Sequence, residues 1–147
     1  MLYYGYNTGI YYFGILGGKT MTKEGFRVDI DFDSDEALYM QVRNQVITQI
    51  ACGELKKGDS LPSVRQLASL IGINMHTVNK AYALLRQEGY LKIDRRSGAR
   101  VDVEYRKGDD DKEIAEDLGL LVARARCKGI SAEALHRLID EEYEKVR

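Results

Sequence analysis

The middle of the chain carries two short apolar stripes, each with the spacing of one buried helix face. The first stripe follows the i, i+3, i+4, i+7 pattern at Val64, Leu67, Ala68 and Ile71. The second repeats the pattern at Val78, Ala81, Tyr82 and Leu85. Ser63 and Gln66 predict a capping box on the first helix, Gly72 can end it, and Asn74 can cap the second. Because helices this short are not stable alone, they must pack on each other, which predicts a helix-turn-helix.

Beyond Gly89 the pattern changes to two short strands, Tyr90–Ile93 and Arg100–Val103, joined by the loop Asp94–Ala99. A strand pair in this place predicts a wing. The winged helix-turn-helix domain is expected to span residues 21–103.

A third apolar stripe predicts a supporting helix from about Glu36 to Cys52, capped by Ser34 or Asp35. Before it, Gly25–Asp35 alternates apolar and mostly charged residues with the period of a half-buried strand. After it, the segment from Leu55 to Leu61 is expected to form a turn and an extended piece that pairs with the wing.

Residues 104–111 are polar and are interpreted as a linker to a helical tail, residues 112–147. Its two helices carry apolar stripes, one at Ile114, Leu118, Leu121, Val122 and Ala125, the other at Leu135, Leu138, Ile139, Tyr143 and Val146. One apolar side of this hairpin stays uncovered, and it can dock on the chain's own domain or on a second copy. We favour the second copy, with a dimer contact made by Leu118, Leu121, Val122, Leu135, Leu138 and Ile139. The expected fold is therefore mainly α with a small β-wing: a winged helix-turn-helix domain followed by a two-helix C-terminal dimerisation hairpin.

Residues 1–20 form an unusual leader with five tyrosines, five glycines and no charge before Lys19. The glycines and tyrosines make a poor membrane span, and the leader lacks the basic start of a signal peptide. We interpret it as a disordered or non-native leader, with a β-hairpin patch as the alternative. A cytoplasmic protein without membrane contact is expected.

The charge distribution points to a polyanionic partner for one part of the chain. The whole sequence of 147 residues has a net charge of −1, but Leu61–Val101 holds seven basic and two acidic residues, a net charge of +5. Asp102–Arg147 holds thirteen acidic and nine basic residues, a net charge of −4. A basic segment inside a slightly acidic protein is the pattern expected if only that segment binds DNA.

The second helix of a helix-turn-helix offers its N-terminal residues to base edges in the major groove. With the second stripe facing inward, His76, Asn79 and Lys80 face outward, and Met75 and Thr77 lie near the cap. An asparagine in this place can bond an adenine edge, a lysine a guanine or a phosphate, and a methionine can contact a thymine methyl group.

Further phosphate contacts are predicted around this helix. Arg65 can clamp a phosphate or reach a guanine, and the free amides at the helix starts marked by Ser63 and Asn74 favour phosphate. In the wing, Arg95 and Arg96 beside the turn residue Gly98 suit the DNA backbone or the minor groove. A winged helix that binds proteins and no DNA is the alternative, with these charges as a solvated surface.

No other chemistry is indicated by the sequence. Cys52 and Cys127 lie far apart without CxxC spacing, so neither a disulfide framework nor a metal site is expected. We find no nucleophile with a plausible base, no phosphate-binding glycine loop and no paired carboxylates in an apolar setting. The sequence therefore predicts neither enzymatic activity nor a cofactor.

Four runs of residues also carry a resemblance to a known family. They are Ala37-Leu38-Tyr39-x-Gln41-Val42, Leu55-x-x-Gly58-Asp59-x-Leu61-Pro62-Ser63-x-Arg65-x-Leu67-Ala68, Ile73-Asn74-x-x-Thr77-Val78-x-Lys80-Ala81-Tyr82 and Glu88-Gly89-Tyr90-Leu91. Over roughly Asp35 to Val103 they resemble the winged-helix domain of the GntR family of bacterial transcription regulators. The short tail is similar to that of the YtrA subfamily.

The resemblance implies a homodimeric, sequence-specific DNA-binding regulator, a repressor of a transporter-type operon, whose tail makes the dimer. It places DNA contacts at Arg65, Met75, His76, Thr77, Asn79, Arg95, Arg96 and Gly98. Met75 and Asn79 stand where several relatives have arginines, so the operator does not carry over from them. A small-molecule effector bound at the domain junction and the absence of any effector both remain open.

Overall fold

The helix-turn-helix of the computed structural model forms at the residues whose spacing predicts it. Helix α2 spans Val64–Ile71 and helix α3 spans Met75–Gln87. The Ser63 hydroxyl accepts from the Gln66 amide at 3.2 Å while the Gln66 side chain accepts from the Ser63 amide at 2.9 Å, which confirms the capping box. Gly72 ends α2 with φ +71°, the left-handed conformation that a glycine adopts without a Cβ clash.

The structure describes residues 2–4, 10–12, 20–21, 26–104 and 111–147, in two units, Met1–Glu104 and Tyr105–Arg147. In the first unit, strands β1 (Leu2–Tyr4) and β2 (Ile10–Tyr12) pair antiparallel, and β3 (Thr20–Met21) pairs with β4 (Arg27–Val28). Most of the predicted leader and residues 105–110 of the predicted linker lie outside the described residues.

Helix α1, Leu38–Ala51, supports α3 as expected. Its predicted cap is wrong, because the helix begins after Ala37, which makes no side-chain cap bond. The Ser34 hydroxyl instead accepts from the Glu36 amide at 3.1 Å within a local turn. The core of this unit combines the inward residues of the three helices, β4 and the wing with Phe26, just before β4, and with Leu55 and Leu61, between α1 and α2. Its other members are Val28, Val42, Val46, Ile50, Leu67, Ala68, Val78, Ala81, Tyr82, Leu85, Leu91, Ala99 and Val101.

The predicted strand over Gly25–Asp35 is mostly replaced by an extended segment bonded to glutamine side chains of α1. Only Arg27–Val28 pairs as a strand, and Phe32 is 65% exposed instead of buried. The Gln41 side chain bonds both the amide and the carbonyl of Asp31, at 2.9 and 2.8 Å. Gln45 does the same at residue 29 and Gln49 at residue 27, so we call these three side chains the glutamine ladder.

The spacing explains why the glutamine ladder fits. Four residues of helix rise about 6 Å, and two residues of extended chain rise about 6.6 Å. Glutamines at every fourth position therefore meet every second backbone unit of the extended segment. Their amides take the place of a neighbouring strand.

The wing consists of β5 (Leu91–Asp94) and β6 (Gly98–Val101), antiparallel with Asp94 opposite Gly98. The hairpin turn is three residues long, shorter than the predicted loop, because Gly98 adopts φ +74° and already pairs with β5. The segment before α2 lies along β6, as expected: the Leu61 amide donates to the Ala99 carbonyl at 2.9 Å.

The second unit holds α4 (Lys112–Cys127) and α5 (Ala132–Lys145). Asp111 and Ser131 cap them by accepting from the amides of Ile114 and Ala134 at 3.1 and 3.2 Å. Taking the described parts of the chain together, no helix has the length and apolar character needed to cross a membrane.

Candidate nucleic-acid interface

The orientation of α3 is fixed by its buried stripe, whose four residues are at most 1% exposed. The Tyr82 hydroxyl donates to the Pro62 carbonyl at 2.8 Å, which ties α3 to the entry of α2. Burial raises the pKa of the Tyr82 phenol above its ordinary value, so the phenol stays protonated and can keep this bond. The opposite side of α3 is therefore presented to solvent, and it carries the predicted readers His76, Asn79 and Lys80, all exposed.

The start of α3 is capped within the chain. The Asn74 side chain accepts from the His76 amide at 2.8 Å, so this oxygen is already used at the helix start. Met75 is 44% exposed and Thr77 is half-buried. Of the residues predicted to touch base edges, Thr77 is thus the least accessible.

Arg65 lies in the first turn of α2 and is exposed. No ion pair found within residues 26–104 and 111–147 involves it. Ser63 just before it uses its hydroxyl in the capping box, so any phosphate contact at this helix start falls to backbone amides and the guanidinium.

The wing turn presents two more cations. The Asp94 side chain accepts from the Arg96 amide at 2.7 Å, which shapes the turn before Gly98. Both Arg95 and Arg96 are exposed, and in the described part of the chain neither forms an ion pair. Their charges are therefore available to an external anion.

Two contacts of α3 with α1 were not predicted from the sequence. The Lys80 ammonium lies 3.7 Å from the ring centroid of Tyr39, in the first turn of α1. The Arg43 guanidinium donates to both carboxylate oxygens of Glu88, at 3.1 and 2.8 Å, beside the end of α3. Both pairs join residues more than 40 positions apart, so no local pattern could reveal them.

The predicted dimer residues lie in the second unit. Leu118, Leu121, Val122 and Leu138 are exposed, and Leu135 and Ile139 are half-buried. Four of them, Leu118, Val122, Leu135 and Ile139, line an open cleft of about 460 Å³ between α4 and α5, together with Ala125, Arg126, Ile130, Ser131, Ala132 and His136. Within the described ranges, no three His, Cys, Asp or Glu side chains gather as a metal site requires.

Comparison with known proteins gives a consistent result. The model of the family described as "Bacterial regulatory proteins, gntR family" matches residues 38–101. The chain is 34% identical over 117 residues to the HTH-type transcriptional repressor YtrA of Bacillus subtilis, covering 78% of this chain and 90% of that protein.

Two solved structures are similar to this one. A transcriptional antiterminator from Listeria monocytogenes superposes with a TM-score of 0.71 at 28% identity, over 80% of this chain and 90% of that one. YtrA from Sulfolobus acidocaldarius, a GntR-family transcription factor, superposes with a TM-score of 0.58 at 39% identity, over 68% and 97% of the two chains. By name, these relatives are a transcriptional repressor, a transcriptional antiterminator and a transcription factor.

Proposed function

This chain belongs to the GntR family of bacterial regulatory proteins and is a YtrA-like DNA-binding transcription regulator, and we propose that it acts as a homodimeric repressor on a two-fold operator. The repressor role and a transporter-type target operon follow the YtrA-like resemblance and are part of the proposal. Action in the cytoplasm and the absence of an enzymatic activity are also part of the proposal.

The observation that carries the proposal is a set of exposed cations without acidic partners around an exposed helix face. Arg65, Arg95 and Arg96 form no ion pair among the described residues, although the chain as a whole has as many acids as bases to within one charge. A surface of this kind suits the phosphates that supply most of the affinity of DNA-binding proteins.

In this proposal α3 lies in the major groove. His76 and Asn79 read base edges from its outer face, with Met75 and Thr77 beside the helix start. Arg65 contacts a phosphate or a guanine. Arg95 and Arg96 contact the DNA backbone, and Gly98 lets the wing turn approach that backbone closely. The backbone amides after Ser63 and Asn74 bind phosphate at the two helix starts.

We propose that a second copy of the chain covers the apolar surface of α4 and α5. Eight large apolar residues of this 112–147 region are exposed, against three in residues 26–104. Leu120 lies on the other side of α4, and the other seven belong to the proposed surface: Ile114, Leu118, Leu121, Val122, Ile130, Leu138 and Tyr143. Apolar surface concentrated in this way marks an interaction site. A dimer also doubles a small DNA interface, which raises its specificity.

Selection of bound sequences from random duplex DNA tests the function. We expect a two-fold symmetric site whose half-sites are about one helical turn apart, and an affinity that falls steeply with salt. Little affinity for any duplex at any salt would instead favour a protein-binding winged helix.

Arg65→Ala should weaken binding to the selected site by roughly 1–3 kcal/mol, because it removes a phosphate or guanine contact. Arg137→Ala is the matched control, since this exposed arginine lies on α5, opposite the apolar stripe. Equal affinities of the two variants would contradict the role of Arg65. Isothermal titration calorimetry or fluorescence anisotropy measures the affinities of both variants.

Leu121→Glu should yield a monomer in analytical ultracentrifugation, because it places a charge in the proposed dimer contact. Leu120→Glu is the control: Leu120 is 62% exposed but lies on the other side of α4, away from the stripe. A dimer that survives Leu121→Glu, or one lost equally with Leu120→Glu, would refute this surface.

A further inference from the structure

The contact between Lys80 and Tyr39 separates two roles that the sequence leaves open for this lysine. Lys80 lies five residues beyond the start of α3, about 7.5 Å along the helix axis, and its ammonium is 3.7 Å from the Tyr39 ring centroid. Asn79 points about 100° away around the helix. The ammonium is thus drawn to the side of α3 that borders the first turn of α1.

A lysine that reads a guanine must extend across the groove floor toward the base edge. The tyrosine ring holds this ammonium on the flank of the helix, where the walls of a major groove present phosphates. A single ammonium also lacks the fork geometry that makes arginine a good reader of guanine. The position and the chemistry of Lys80 therefore both suit a phosphate.

The partner of Lys80 is an aromatic ring, which orients a cation without neutralising it. A carboxylate in the same place would cancel the charge needed for DNA. In the regions that the structure describes, no acidic side chain forms an ion pair with Lys80. Tyr39 thus fixes the direction of the ammonium and leaves its full charge available.

We infer that Tyr39 is a positioning residue for DNA binding, which holds Lys80 on the α1 flank of α3 so that it contacts a backbone phosphate and no base. This inference rests on the proposed DNA-binding function. It adds α1, through one aromatic side chain, to the elements that arrange the interface.

The test measures affinity and its salt dependence on two 30-base-pair duplexes, one of alternating A and T and one of alternating G and C. Lys80→Gln should lower the slope of log affinity against log salt by about 1 on both duplexes, because one phosphate contact is lost. Lys112→Gln is the charge-matched control, an exposed lysine at the start of α4, and should leave both slopes unchanged. A loss confined to the G and C duplex would overturn the inference, since it would assign Lys80 to guanine.

The role of Tyr39 is tested by combining variants. Tyr39→Leu should weaken binding to both duplexes about two- to fivefold, the value expected from one cation–ring contact, and Tyr39→Phe should restore the binding. In the Lys80→Gln background, Tyr39→Leu should cause no further loss. A packing defect would weaken binding in either background, so a further loss there would overturn the inference.

The remaining outcomes are also decisive. If Tyr39→Phe binds as weakly as Tyr39→Leu, the hydroxyl group contacts DNA and the ring is not the positioning element. If the wild-type chain binds neither these duplexes nor any sequence selected from random duplex DNA, the proposed function fails and the inference fails with it. Wild-type binding combined with an unaffected Tyr39→Leu variant would overturn the inference alone.

Discussion

The glutamine ladder gives a sharp prediction about stability. Gln41 is 5% exposed, and its side chain makes three hydrogen bonds to backbone groups: from the Asp31 amide at 2.9 Å, to the Asp31 carbonyl at 2.8 Å and to the Glu36 carbonyl at 2.9 Å. Gln41→Met keeps the length of the side chain and its helix propensity but removes all three bonds. Its effect therefore measures what the amide contributes.

The expected loss follows from these bonds. A net contribution of about 0.5–1.5 kcal/mol for each gives about 1.5–4.5 kcal/mol for three. Asp31 is exposed, so water can replace part of what its amide and carbonyl lose. We therefore expect the free energy of unfolding to fall by about 2 kcal/mol.

Urea unfolding followed by far-UV circular dichroism measures this difference, at one protein concentration because association shifts apparent stability. Gln87→Met is the control, since Gln87 is exposed at the end of α3, and it should change the free energy of unfolding by less than about 0.5 kcal/mol. A Gln41→Met variant as stable as Gln87→Met would refute the idea that the ladder holds the extended segment on α1.

Two further predictions concern the contacts of α3. Above pH 10, near the ordinary tyrosine pKa, the unfolded chain releases the phenolic proton of Tyr82 while the buried phenol, whose pKa is raised, keeps it. Between pH 9 and 11, urea titrations should show the unfolding free energy of the wild type falling by about 1.4 kcal/mol in total relative to that of Tyr82→Phe. Parallel curves would show that burial does not hold the phenol neutral. Glu88→Gln should lower the unfolding free energy by about 1 kcal/mol, because the pair with Arg43 is only about one-fifth exposed. Glu54→Gln is the control, because the ion pair of Glu54 with Arg27 is more exposed. It should leave the unfolding free energy almost unchanged. Equal losses of unfolding free energy in the two variants would contradict the reasoning.

Much of the fold could be predicted because it depends on short-range signals. The capping box at Ser63 and the left-handed Gly72 are decided within a few residues, and the inner face of α3 follows from helical spacing alone. The outer face of α3 consists of the residues outside this stripe, which is why His76 and Asn79 could be named as candidate DNA-contacting residues without a structure. Their exposure agrees with this reasoning.

The errors have a different physical origin, because they involve pairing between distant parts of the chain. Alternation over Gly25–Asp35 predicted a strand, but a strand needs a neighbour, and here glutamine side chains of α1 replace it. The repeat of Gln41, Gln45 and Gln49 at every fourth position was a visible signal, yet polar residues at such spacing usually face solvent. Only the docked backbone of residues 27–31 makes burial of these amides favourable, since each bonds an amide and a carbonyl at once.

The same distinction separates what the sequence says about DNA reading from what it leaves open. Helical spacing places Lys80 on the outer side of α3, but a long side chain can reach a base or a phosphate from the same Cα position. The choice depends on what stands beside it, and that neighbour, Tyr39, is 41 positions away on another helix. Local spacing thus determines which residues of α3 face solvent, whereas the packing of α1 on α3 determines the direction in which the Lys80 side chain points.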